Sequence, residues 1–217
     1  MSDDELELRI LGVEPGEETA AGALKLTIRT SRGEIPVILH APESTTRAVV
    51  CISGAIGGFD GPAKLYERLG LELPSKGITV ARMNYRAPND FNECLLDTLA
   101  ALGFLKATGH ERAAIIGHSF GGAVAINAGT ISPIAVAVIA ISSQLAGAHV
   151  VADLKPKPLL LIHGTADNIL SHQSSELIYG RAQEPKRLML FEGADHRMSG
   201  KGDELFALVE EWLVTRI

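Results

Sequence analysis

The chain has 217 residues, 46% of them hydrophobic and 21% charged, with a formal net charge of -6. That length favours one domain with a sizeable core, and the balance is that of an ordinary globular protein. The acidic excess argues against a nucleic-acid binder, and no apolar run is long and charge-free enough to span a bilayer.

The opening Met1-Ser2-Asp3-Asp4-Glu5 lacks the basic and apolar regions of a secretory signal. Residues 5–11, 24–30 and 34–40 read as strands, the last two joined by a hairpin-type turn at Ser31-Arg32-Gly33. Beyond them, buried strands alternate with helices. Apolar runs at 48–53, 79–83, 113–117, 134–142, 159–163 and 188–191 have the continuous character of strands covered on both faces. Gly61-Pro62 opens a helix, with proline tolerated in its first turn. Gly122-Ala123-Val124-Ala125-Ile126 opens another, and Leu95, Leu99, Leu102 and Leu105 share one helical face, as do Leu205, Leu208, Val209, Trp212 and Leu213. Cys51 lies in a strand and Cys94 on a helix. Without disulfide-framework or metal-site spacing, both read as small buried hydrophobes, and a reducing cytoplasm is the expected setting. Antiparallel strands followed by β-α repeats predict a doubly wound, mostly parallel α/β sheet, one domain over residues 1–217.

The motif that points to chemistry is Gly117-His118-Ser119-Phe120-Gly121, set between a strand and a small-residue helix. A G-x-S-x-G frame there forces a sharp turn, the two glycines relieve crowding, and the serine hydroxyl stands clear at the sheet's carboxyl edge. Ligand sites of open α/β sheets form at that edge. Two further strands end there in His163-Gly164-Thr165-Ala166-Asp167 and Glu192-Gly193-Ala194-Asp195-His196. His196 can take the proton of Ser119, and Asp167 can hold the imidazole's tautomer and stabilise its cation.

With its Ser…Asp…His order and these motifs, together with Met83-Asn84-Tyr85-Arg86, the chain resembles the α/β-hydrolase superfamily, and more narrowly its small dienelactone-hydrolase-like branch. The resemblance implies an oxyanion hole formed by the Phe120 N–H and a donor from Ser53-Gly54-Ala55-Ile56-Gly57-Gly58, where Ala55 is the first choice and Ile56 the next. The namesake enzymes carry cysteine where this chain has Ser119, so a general ester or thioester is expected in place of dienelactone.

Other polar residues read more plainly. Asp195 adjoins His196, and adjacent loop residues project in different directions, so it reads as a loop brace. His118 packs at the turn, His163 hydrogen-bonds backbone, His172 begins a helix, and Arg86 pairs with Asp90 or Asp97. No histidine shows metal-ligand spacing, and neither metal nor organic cofactor is expected.

Residues 143–157 leave room for one short helix and for no large cap. The expected pocket is shallow, bounded by Ile56, Phe59, Phe120, Leu145 and Met198, and suited to small acyl groups. The expectation is a serine hydrolase forming an acyl-enzyme with a small-molecule ester or thioester, without nucleic-acid or membrane partners and with homodimerisation left open. An amidase or acyltransferase using the same triad, and a non-catalytic binding protein on the same scaffold, are the alternatives.

Overall fold

The computed structural model describes residues 7–217. An antiparallel meander comes first: β1 (Ile10–Glu18), β2 (Leu24–Thr30) and β3 (Gly33–His40). Then follow β4 (Arg47–Ile52), α1 (Leu65–Glu72), β5 (Thr79–Met83), α2 (Phe91–Ala107), β6 (Arg112–His118), α3 (Phe120–Ile131), β7 (Ala135–Ile141), β8 (Leu159–Gly164), α4 (Gln173–Arg181), β9 (Lys186–Phe191) and α5 (Gly202–Arg216). All nine strands share one sheet in the order β1-β2-β3-β5-β4-β6-β7-β8-β9. Pairing is parallel from β5 through β9, and β3 joins antiparallel to β5.

Two cores flank this sheet because side chains alternate between its faces. Ala48, Val50 and Ile52 of β4 pack with Ala113 and Ile115 of β6 beneath α2 and α3. Val49 and Cys51 pack with Ala114 and Ile116 on the other face, under Leu65 and Leu69 of α1 and Val209 and Leu213 of α5. The predicted helical stripes land accordingly: Leu102 and Leu105 are fully buried, Leu95 and Leu99 partly so. Both cysteines are free and buried.

The first strand departs from its predicted position. Glu5 and Leu6 lie outside the described residues, and pairing runs from Ile10 to Glu18 rather than over 5–11. Nearly every β1 side chain is exposed, so backbone pairing at the sheet edge holds it and little hydrophobic pattern marks it. The helix predicted from Gly61-Pro62 also starts later. Pro62–Lys64 form a 3₁₀ turn with Ala63 and Lys64 in the left-handed region (φ 48° and 57°), and α1 begins at Leu65. Between β7 and β8 there is only a 3₁₀ stretch, Ala148–Leu154, packed against α3, and the described residues contain no large cap. No described helix is long and apolar enough to cross a membrane.

A polar network ties the meander to the doubly wound part. Arg86, after β5, pairs with the fully buried Asp97 of α2, donates 2.7 Å to Glu93, and donates 2.9 Å to the Arg32 carbonyl in the β2–β3 turn. Arg32 also pairs with Glu93. Burial pushes the Asp97 carboxyl up from its ordinary range, against the pull of Arg86. An unpaired carboxylate there is costly, so Arg86→Met should lower unfolding free energy by about 3–5 kcal/mol. Urea denaturation measures the loss, and a change within error of zero would show that water reaches Asp97.

Candidate active site

Ser119 sits between β6 and α3 with φ 59° and ψ −122°, a strained conformation for a residue with a side chain. Its neighbours explain why the strain persists. A Cβ on Gly117 would overlap the Gly121 carbonyl, and one on Gly121 would overlap the Ser53 carbonyl. The Ser119 N–H donates 2.8 Å to Ile141 of β7, and the Ser119 carbonyl accepts from Gly122 at 3.0 Å. The turn is thus pressed against the ends of β4, β6 and β7.

The imidazole and its acid come from the loops after β9 and β8. His196 Nδ1 donates 2.7 Å to Asp167 Oδ2. Asp167 Oδ1 accepts the backbone N–H groups of Ile169 and Leu170 at 2.9 and 2.8 Å. Burial raises the Asp167 carboxyl, but donation from Leu170, His196 and Ile169 outweighs it and holds the group below its ordinary range as an anion. Because Nδ1 carries the shared proton, Nε2 of a neutral His196 is left as the basic lone pair. Ser119 and His196 line the same cleft of about 660 Å³. No hydrogen bond joins their side chains among the described residues.

The opposite wall is the segment after β4. A turn closed by Gly57 N–H to the Gly54 carbonyl at 3.0 Å leaves the Ala55 and Ile56 N–H groups unbonded among the described residues. Phe120 is the first residue of α3, so its N–H lacks an intrahelical acceptor. Side chains from strand ends anchor this wall. Asn84 Oδ1 accepts Gly58 N–H at 2.8 Å, Ser53 Oγ donates 2.8 Å to the Gly58 carbonyl, and Arg82 donates to the Phe59 carbonyl at 3.0 Å and to Asp60 at 2.8 Å.

The cleft brings together Ser119, His196, Ala55, Ile56 and Phe59, while Asp167 stands behind His196. Ile56 is 88% exposed at the rim, facing the cleft with the 64% exposed Ile169. Three residues expected on the pocket wall lie elsewhere. Phe120 is buried and packs edge-on against Tyr85 and Phe91. Leu145 packs on the α2–α3 core, and Met198 is fully buried in the α1–α5 core. Leu145 and Met198 follow the inward turns of their loops and Phe120 the first turn of α3, directions that spacing along the chain does not encode. Lys64, Ile169, Arg197 and Ser199 line the cleft without having been singled out. Ile169, Arg197 and Ser199 occupy loops and Lys64 ends the 3₁₀ turn, and their only sequence signal is adjacency to Asp167, His196 and Pro62.

Asp195 braces the His196 loop, its Oδ1 accepting Arg197 and Ser199 N–H at 3.0 and 2.8 Å. His172 directly precedes α4. His118 Nε2 lies 2.9 Å from the His196 carbonyl and must carry the proton there, so the turn and the His196 loop are joined directly. The two rings lie 4.8 Å apart. Burial lowers His118 to about 4, as burial and then Arg82 lower His40.

No family model matches the chain. A segment of 56 residues, 26% of the chain, is 43% identical to the uncharacterized protein YfhR of Escherichia coli K12. That segment spans about a fifth of the relative's length. The structure is similar to a dienelactone hydrolase from Anabaena variabilis, with a TM-score of 0.77 and 17% identity over 94% of this chain and 99% of that one. It is also similar to acetyl xylan esterase 1 from Thermoanaerobacterium, with a TM-score of 0.70 and 14% identity over 94% and 87%. The fold is therefore that of the α/β hydrolases. Among the described residues this fold carries no large cap.

His40 and His118 set a pH dependence. Their folded pKa values near 4 lie below the ordinary 6.5, so the unfolded chain binds more protons between those values. Stability should therefore be complete above about pH 6.5 and fall as pH drops towards 4. Denaturation midpoints between pH 7 and 4 measure the slope, and His118→Gln should flatten part of it.

Proposed function

We propose that the protein is a serine hydrolase that cleaves a small ester or thioester through an acyl-enzyme. The observation that carries this reading is the strained Ser119 sharing a cleft with His196, whose Nδ1–H is held 2.7 Å from a buried carboxylate. In this reading Ser119 Oγ attacks the substrate carbonyl carbon as its proton passes to His196 Nε2, and Asp167 stabilises the imidazolium. The carbonyl oxygen becomes an oxyanion and accepts hydrogen bonds from Phe120 N–H and from Ala55 or Ile56 N–H, each contributing about 3 kcal/mol in the transition state. Collapse breaks the bond to the alcohol or thiol, which leaves with the proton from His196. Water then repeats the sequence on the acyl-enzyme, the proton returning through His196 and the carboxylic acid departing. The missing Ser119–His196 hydrogen bond is the one that substrate binding has to close.

The names of the two fold neighbours, a hydrolase and an esterase, support hydrolysis. The open cleft and the apolar rim at Ile56, Phe59 and Ile169 support a small, partly apolar acyl or alcohol group, and the buried free cysteines accord with a cytoplasmic setting. A fluorophosphonate probe should label the folded wild type and leave Ser119→Ala unlabelled. Equal labelling of both, or of neither, would favour a binding protein on a hydrolase scaffold. Across p-nitrophenyl esters, kcat/KM should be highest for acetate to butyrate and fall for longer acyl chains. Faster turnover of long chains would mean that Ile56 and Ile169 cradle an extended tail.

A further inference from the structure

The end of β8 carries a second imidazole that the catalytic sequence does not use. His163, wholly buried at the end of β8, places Nε2 3.1 Å from Asp167 Oδ2 and 3.0 Å from the Leu170 carbonyl, and Nδ1 2.7 Å from Ser175 Oγ of α4. Both neighbours of Nε2 only accept, so Nε2 carries the proton, and Nδ1 must accept from the Ser175 hydroxyl, itself fully buried. Asp167 Oδ2 thus receives two imidazole N–H groups, from His163 and from His196, while Oδ1 receives two backbone N–H groups. Four donors, two on each oxygen, leave the carboxylate little freedom to turn.

From this geometry we infer that His163, locked by Ser175, is a positioning residue for Asp167: it fixes the carboxylate plane so that Oδ2 meets His196 Nδ1. The kinetic consequence rests on the hydrolase reading above, whereas the hydrogen-bond organisation does not. Losing the His163 donor lets Asp167 rotate and weakens its hold on the His196 tautomer. Binding of a small ester, remote from this buried group, is little affected.

The test uses the full chain as wild type, His163→Leu, His163→Gln and Ser175→Ala, with p-nitrophenyl acetate as substrate. Proton NMR is followed in parallel for the downfield His196 Nδ1–H, assigned by its loss in His196→Gln. His163→Leu should lower kcat about tenfold to a hundredfold with KM nearly unchanged. His163→Gln, which keeps an N–H donor near the Nε2 position, should recover most of the rate. The His196 resonance should shift or broaden in the leucine variant and persist in the glutamine variant. Equal losses in both variants, or a leucine variant with wild-type kcat and an unmoved resonance, would overturn the proposal. Should His163→Leu fail to fold, Ser175→Ala decides: an altered resonance with reduced kcat supports the lock, and unchanged values refute it. Should the wild type itself show neither turnover nor probe labelling, the hydrolase reading falls, and the NMR comparison alone still decides the role of His163.

Discussion

At the turn after β6 the backbone lies so close to the ends of its neighbours that no side chain fits at Gly117 or Gly121. Ser119 cannot relax from φ 59° without driving α3 off the ends of β4 and β6, both deep in the two cores. The strain is held by the packing of the whole sheet, and the serine is presented where the strands stop. Everything at the candidate site is arranged around that point.

The loops that complete the site are fixed by buried polar groups reaching out of the strands below them. Asn84 and Arg82 hold the wall carrying Ala55 and Ile56, and the Tyr85 hydroxyl donates 3.2 Å to the Ser53 carbonyl from which that wall departs. His118 reaches across to the His196 loop, and His163 reaches the Asp167 loop. Such groups are costly to bury unless they are paired, and once paired they allow few alternative loop conformations. Among the described residues, Ser142 Oγ is the one buried side-chain polar atom without a partner.

Most of the architecture was legible in the chain because buried parallel strands and amphipathic helices leave periodic apolar patterns. The five central strands from β4 to β8 lie within a residue or so of their predicted bounds, and β9 begins two residues earlier than predicted. The edge strand β1 was misplaced because it buries almost nothing. The left-handed pair Ala63 and Lys64 delayed α1 for a similar reason: neither residue type announces a positive φ.

The sequence by itself determined the turn around Ser119, since only glycine fits at 117 and 121, and it set the strand ends from which Asp167 and His196 emerge. Only the tertiary structure decided the direction of side chains in the loops. It turned Met198 and Leu145 into the cores and brought Ile169 to the cleft, as it also turned Phe120 inward at the start of α3 and set His163, at the end of β8, on the same carboxylate oxygen as His196. The reason is physical: strand and helix periods are written locally, whereas a loop side chain goes where distant elements leave it room or a hydrogen-bond partner.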